Sequence, residues 1–325
     1  MSSSTPTAVL LMAYGTPPST AERDVEAYLA HVLEHYRKAV PTDDEVRGLQ
    51  ARYEAIGGSP LYGVTERIVS GVQDLLDRLA PGGYRVCSAF KHSPPFIDEV
   101  VRRIAAEGVG AGVGVALAPF PSRMSTEAYF AEVRTASSAL SASLDWGFRD
   151  RWHMHPRFIE LWESLLKEAL TTADEPTVLF TNHSLPARIR QWNDPYEQAF
   201  EETTSLLVDR LQLAKWRRAY QSAGGGTGEW LGPGFEEVLR QEAERGESRF
   251  VVAPIGFLTD HLEVLYDIDV VAMELARELG VELTRTRMPN DDERLIGLLA
   301  DLVVAGPGPR GPRAGARVPR AGARG

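Results

Sequence analysis

A single cysteine, Cys87, stands in a chain of 325 residues. Without a second thiol, no internal disulfide can form and no cysteine-held zinc or iron–sulfur site can assemble. Such sparing use of thiols predicts a reducing, cytoplasmic setting. Long apolar runs are missing as well. No stretch approaches the roughly 18–20 apolar residues needed to cross a bilayer, so no membrane insertion is expected. The opening residues, MSSSTPTAVLLMAYG, have no charged start and only a short apolar run, and they read as a polar lead into a strand rather than a signal peptide. Positive charge is also scarce. The formal charge is −10, and the last twenty residues hold five arginines and no acid, so the chain before them carries −15. An acidic body argues against nucleic acid as the main partner. The tail itself, residues 306–325, is low-complexity Gly/Pro/Arg sequence and is predicted to be disordered. Nucleotide fingerprints are absent too. GTGEWLGP (Gly226–Pro233) lacks the Lys-Ser/Thr of a phosphate loop, and GVGVAL at Gly112 lacks a third glycine, so neither supports a nucleotide cofactor.

What is present is an alternation of strand and helix. Short apolar runs at 8–15, 84–91 and 112–120 predict buried strands, with helical spacing at 20–35, 43–56, 60–79, 95–107 and 125–140 between and after them. Val46, Leu49, Tyr53 and Ile56 fall on one helix face. A second unit repeats the scheme, with strands at 177–182, 216–221, 250–257 and about 282–287. Its helices lie at 156–170, 195–211, 233–244 and 260–279, and a last helix spans 291–304. Alternation of this kind predicts parallel sheets covered by helices on both faces. The domain reading is residues 1–152, residues 153–288, a helix at 289–305, and the tail.

Two stretches can carry chemistry. VLFTNHSLP (Val178–Pro186) ends a buried strand in a histidine, and the carboxyl ends of strands in open α/β sheets are where ligands gather. A satisfied structural histidine is the bland reading of His183. RFVVAPIGFLTDHLEVLYDID (Arg249–Asp269) repeats the pattern and delivers Glu263 and Asp267, four apart on one helix face, after a plausible N-cap at Asp260. A solvated stripe is the bland reading there, although Leu262, Val264, Leu265 and Ile268 crowd the same turns. A histidine and a carboxylate converging on a cleft suit proton abstraction or metal handling. Among the other histidines, His31 and His35 share a helix face and read as solvated surface, and His153 and His155 alternate on an extended linker.

Taken together, these stretches resemble the ferrochelatase family, which inserts ferrous iron into porphyrins. The matching pieces are LLMAYGTP (Leu10–Pro17), RYEAIGGSPL (Arg52–Leu61), the Pro119–Tyr129 stretch, NHSLP (Asn182–Pro186), DPY (Asp194–Tyr196), the stretch from Tyr220 to Pro233, and PIGFLTDHLEVLYDID (Pro254–Asp269). The resemblance implies two flavodoxin-like α/β domains around a central cleft, with the last helix returning to the first. It implies His183 and Glu263 as catalytic residues, and His183, Glu263 and Asp267 as the residues that handle the metal. Tyr14, Arg52, Ser59, Ser122 and Tyr129 would meet the porphyrin, with Arg52, Ser59 and Tyr129 toward its propionates. Where many relatives carry a further acid one turn beyond Asp267, this chain has Val271. The arginine-rich loop of similar relatives is here HVLEHYRKAVP.

The AYGTP form of the first motif is similar to that of soluble coproporphyrin ferrochelatases, and coproporphyrin III is the expected substrate. Protoporphyrin IX, another tetrapyrrole, or a haem- or metabolite-binding protein without turnover stand as alternatives. Ferrous iron enters as substrate, no tightly bound cofactor is expected, and Cys87 alone cannot support the [2Fe–2S] cluster that some relatives bind. The same resemblance implies a monomer that meets neighbouring haem-pathway enzymes.

Overall fold

The computed structural model describes residues 5–140, 144–171, 175–224 and 228–305. Four parallel strands, β1 (Thr7–Ala13), β2 (Tyr84–Phe90), β3 (Ala111–Ala116) and β4 (Asp145–Arg149), form one sheet in the order β2-β1-β3-β4. Four more, β5 (Thr177–His183), β6 (Trp216–Gln221), β7 (Arg249–Ala253) and β8 (Glu282–Arg285), form a second in the order β6-β5-β7-β8. In each sheet the chain runs outward one way from the first strand and then crosses back to its other side. That leaves a crevice at the carboxyl ends of β1 and β3, and another at those of β5 and β7. The two doubly wound units agree with the α/β class expected from the sequence.

Both faces of each sheet are buried, which is why its strands read as continuous apolar runs. Side chains nonetheless alternate with period two. Val9 and Leu11 of β1, with Val178 and Phe180 of β5, face one large core shared by both sheets. Helices α3 (Leu61–Leu79), α6 (Pro156–Leu170), α7 (Tyr196–Leu211) and α11 (Glu293–Val304) complete that core. Ala8, Leu10 and Met12 turn the other way, toward α4 (Ile97–Ala106) and α5 (Thr126–Ser138). Leu179 and Val252 likewise face α8 (Phe235–Glu244) and α10 (Met273–Leu279). The last helix, α11, and the turn before it are tied to earlier parts of the chain by Arg157–Asp301 at 2.5 Å and Arg67–Asp291 at 2.7 Å.

One strand escapes the sequence reading. β4 is the five-residue segment DWGFR at a sheet edge, with a glycine in its middle and mostly half-buried positions, so its apolar pattern is too short to register. It also explains GVGVAL. A Cβ at Gly112 would come within 2.5 Å of the Trp146 ring, and one at Gly114 within 2.7 Å of Phe148. Those glycines make room for cross-strand aromatics, not for phosphates.

Helices α1 (Glu22–Arg37) and α2 (Asp43–Ala55) stand apart from the sheets. Val25, Val46 and Tyr53, supported by Leu49 and Ile56, pack on Leu262 and Tyr266 of the second unit, so the α2 face foreseen from the sequence closes over the cleft. The tail at 306–325 and the first two residues of GTGEWLGP lie outside the described residues. Among the described residues no helix is long and apolar enough to cross a membrane.

Candidate active site

Strand β5 ends with its last residues held from several directions. The Asn182 side-chain oxygen accepts from the His183 backbone N–H at 2.9 Å and from the Tyr196 hydroxyl at 2.8 Å, and that hydroxyl also lies 2.9 Å from the His183 carbonyl. Gly256, in the turn after β7, approaches so closely that a Cβ there would lie 2.0 Å from Asn182 Oδ1. Only glycine permits this contact, and it brings the β7 turn against the end of β5. The imidazole of His183 then points Nδ1 at the Ser184 carbonyl and Nε2 at Glu263. A carbonyl can only accept, so Nδ1 carries the proton, and the neutral ring presents a bare Nε2.

The chain after β7 departs from the expected regular helix over 260–279. A short helix, α9 (Leu262–Leu265), is succeeded by a π-helical segment, Asp267–Ala272, before α10. The Val271 N–H reaches back five residues to Tyr266 O at 3.0 Å. Such widened turns insert a residue and rotate the next part of the helix, and they recur at functional sites. Asp260 does not cap this helix. His261 occupies the N-cap position, and Asp260 binds Asn290 and Arg285 instead.

Glu263 Oε1 lies 3.3 Å from His183 Nε2, and its other oxygen lies 3.7 Å from His261 Nε2. The Glu263 backbone carbonyl accepts from Gln221 at 2.7 Å, and Gln221 accepts in turn from Thr181 at 2.6 Å. The side chains of His183 and Glu263 keep 30% and 32% of their surface open to the cleft, although both lie deep in the fold. Burial alone would push the His183 pKa down, yet the Glu263 carboxylate outweighs it and holds the imidazole above its ordinary value. Burial would likewise raise the Glu263 carboxyl, but His183 and His261 hold it well below the usual carboxylate range. The pair can therefore store a proton on nitrogen beside a full negative charge.

Asp267 sits one turn on, its side chain 17% exposed, with both oxygens engaged. Arg52 Nη2 donates to Oδ1 at 2.6 Å from the other unit, and the Ser222 hydroxyl donates to Oδ2 at 2.5 Å. Ser222 has φ +57, a left-handed conformation that non-glycine residues adopt where surrounding contacts demand it. Burial raises the Asp267 pKa, with Ser222 and Arg52 pulling the other way.

The residues expected at the porphyrin differ in state. Tyr14 comes just after β1, is 40% exposed, and packs its ring 4.5 Å from that of His92. Arg52 is committed to Asp267 and lies over the Tyr266 ring at 4.9 Å. Ser59 lines a pocket of about 460 Å³ together with Pro17, Ser19, Tyr53 and Gly58. Tyr129 is buried, with the Lys91 ammonium 5.8 Å from its ring centre. Ser122 is 3% exposed, and its hydroxyl donates to Asp194 at 3.2 Å, an engagement internal to the protein.

Several neighbours had no role in the sequence reading. His261, Ser222 and Gln221 all lie within the family-like motifs, but their direction depends on turns that the motifs do not encode. His31 and His35 are exposed, as expected of a solvated face, and their rings also meet buried His92. The His31 and His92 Nδ1 atoms lie 3.1 Å apart, and the His35 ring centre is 5.2 Å from that of His92.

A family model described as ferrochelatase matches residues 6–306. A protein named ferrochelatase from Herpetosiphon aurantiacus is 38% identical over 304 residues, covering 91% of this chain and 98% of its own. One named coproporphyrin III ferrochelatase from Geobacillus kaustophilus is 35% identical over 304 residues, covering 91% and 94%. Among solved structures, the sirohydrochlorin chelatase SirB from Bacillus subtilis, in complex with cobalt, superposes with a TM-score of 0.53 at 13% identity, over 92% of this chain and 94% of that one. This last likeness speaks for the fold alone. The chain belongs to the ferrochelatase family, whose reaction is metal insertion into a porphyrin.

Proposed function

We propose that this protein inserts ferrous iron into coproporphyrin III, with His183 and Glu263 as the reacting pair. The observation that carries the reading is His183 Nε2 facing Glu263 across the carboxyl-end crevice of the second sheet. Two pyrrole protons must leave as the metal enters. A neutral imidazole with a bare Nε2 is placed to accept one, and the adjacent carboxylate stabilises the imidazolium that results. The ring then passes that proton to solvent at the cleft before taking the second. Ferrous iron must also shed water before it meets the ring. Imidazole nitrogen and carboxylate oxygen can replace that water transiently, and Asp267 extends the acidic line toward the surface.

The choice of coproporphyrin rests on three supports. The relatives named coproporphyrin III ferrochelatase are 33–35% identical over most of their length. The AYGTP strand end, with Tyr14 exposed at the opening, is the form resembling that class. Four propionates also call for polar partners, and Ser59 lines a pocket while Tyr14 is exposed. We read iron as a passing substrate and the protein as needing no resident cofactor. The test is anaerobic turnover with ferrous iron, offering coproporphyrin III and protoporphyrin IX separately and monitoring loss of free-porphyrin fluorescence. Preference for coproporphyrin supports the reading. Preference for protoporphyrin keeps the reaction and overturns the substrate.

A further inference from the structure

The segment that carries His261, Glu263 and Asp267 is a turn, one short helix and the start of a π-helical stretch. The stretch runs on into α10, and Val264 and Ile268 hold its inner face in the cores, but those apolar contacts leave the polar edge at Asp260 and Asp269 unheld. Something outside the segment must hold it.

Arg285, the last residue of edge strand β8, meets that need. Its guanidinium donates through Nε and Nη2 to the two oxygens of Asp269, at 2.7 and 2.8 Å. The same Nη2 lies 3.4 Å from Asp260 Oδ1. Asp260 is in turn paired reciprocally with Asn290. The Asn290 amide donates to Asp260 Oδ2 at 2.7 Å, and the Asp260 backbone N–H donates to Asn290 Oδ1 at 2.8 Å. Asn290 has φ +50 and its own N–H on Leu258 O at 2.8 Å, so the support is anchored to the β7 turn. The Arg285 side chain is only 13% exposed, where a forked ion pair is both well formed and costly to break on one side.

One guanidinium thus ties the two ends of the segment 260–269 to the sheet, while Asp267, two residues before Asp269, reaches the other way to Arg52 and Ser222. We propose that Arg285 is a positioning residue for iron handling: by clamping Asp260 and Asp269 it sets the π-helical register in which Glu263 and Asp267 both face the cleft. This rests on the reading of Glu263 and Asp267 as the iron-facing acids. Arg285 touches no substrate itself and acts on iron through those acids, while the porphyrin face built by Tyr14 and Ser59 lies on the other unit.

The test compares Arg285→Met, Arg285→Lys and Asp269→Asn with the parent chain. Affinity for cobaltous ion is titrated without porphyrin, and KM is then measured separately for ferrous iron and for coproporphyrin III. Loss of an outer partner of metal-facing groups typically costs about 10–100-fold in metal affinity or activity. Arg285→Met should weaken cobalt binding and raise the iron KM at least about tenfold, leaving the porphyrin KM within about twofold. Arg285→Lys should recover only part, because one ammonium cannot fork across both carboxylates. Asp269→Asn should reproduce the loss, and combining it with Arg285→Met should add little, as expected for two halves of one contact. Iron and cobalt parameters within twofold of the parent in Arg285→Lys and Asp269→Asn would overturn the proposal, and so would an equal fall in porphyrin affinity. If Arg285→Met does not fold, these two variants decide. A parent chain without turnover would fail the proposed function instead, with the cobalt titration still deciding the clamp.

Discussion

Nε2 of His183, the last residue of β5, and Oε1 of Glu263, on the short helix α9 that follows the β7 turn, meet at 3.3 Å. A proton shared across that contact is the simplest chemistry available to the cleft. The ring is fixed by Ser184 on one side and the carboxylate by His261 on the other, so neither group needs to reorganise when charge appears.

This contact sets the pH profile. Neutral His183 is the form that accepts a proton, and Glu263 holds its pKa above the ordinary 6.5. Turnover should therefore rise with pH through an apparent pKa above 6.5. Glu263→Gln removes the counter-charge and leaves burial to act alone, so the acid limb should move to lower pH as the maximum rate falls. An acid limb that stays in place in Glu263→Gln would assign it to another group.

Asp267→Asn preserves shape and the bond from Ser222 but removes the charge that faces Arg52. Iron kcat/KM should fall about tenfold with porphyrin affinity not weakened. Steady-state kinetics with each substrate varied in turn separates the two. A loss confined to the porphyrin KM would place Asp267 outside the iron path.

Gly256→Ala asks for a methyl group where Asn182 already stands, 3.0 Å from its Cα as well as 2.0 Å from its side-chain oxygen. Overpacking of this kind costs about 1–3 kcal/mol. The end of β5 carries His183, so turnover should drop along with Tm. A variant with parent-like Tm and rate would show that the β7 turn can move freely.

Phe180→Ala opens a cavity in the core shared by both sheets, where the ring is fully buried. A loss of about 3–5 kcal/mol is expected from such truncations. Denaturant titration measures it directly, and a loss under about 1 kcal/mol would mean that the core collapses around the gap.

How much of the fold and site is legible in the sequence differs by element. Strands buried on both faces announce themselves as apolar runs, and β5 places His183 at its own end, whereas Glu263 sits on α9 beyond the turn that follows β7. DWGFR does not announce itself, because an edge strand with a central glycine has little pattern to show. The π-helical segment is invisible for a different reason. Its register depends on Arg285 and Asn290, which lie well after it in the chain, and spacing within Asp260–Leu279 reads equally well as ordinary helix. Arg52 reads as facing a propionate, and its bond to Asp267 is a contact between units that no local motif encodes.

The central claim, that the His183–Glu263 pair performs metal insertion, is tested most directly by His183→Ala and Glu263→Ala assayed anaerobically with ferrous iron and coproporphyrin III. Porphyrin binding, monitored by fluorescence, and Tm are measured on the same samples. The account predicts that each variant folds and binds porphyrin while insertion falls to the uncatalysed rate. Near-parental turnover in either variant would contradict it.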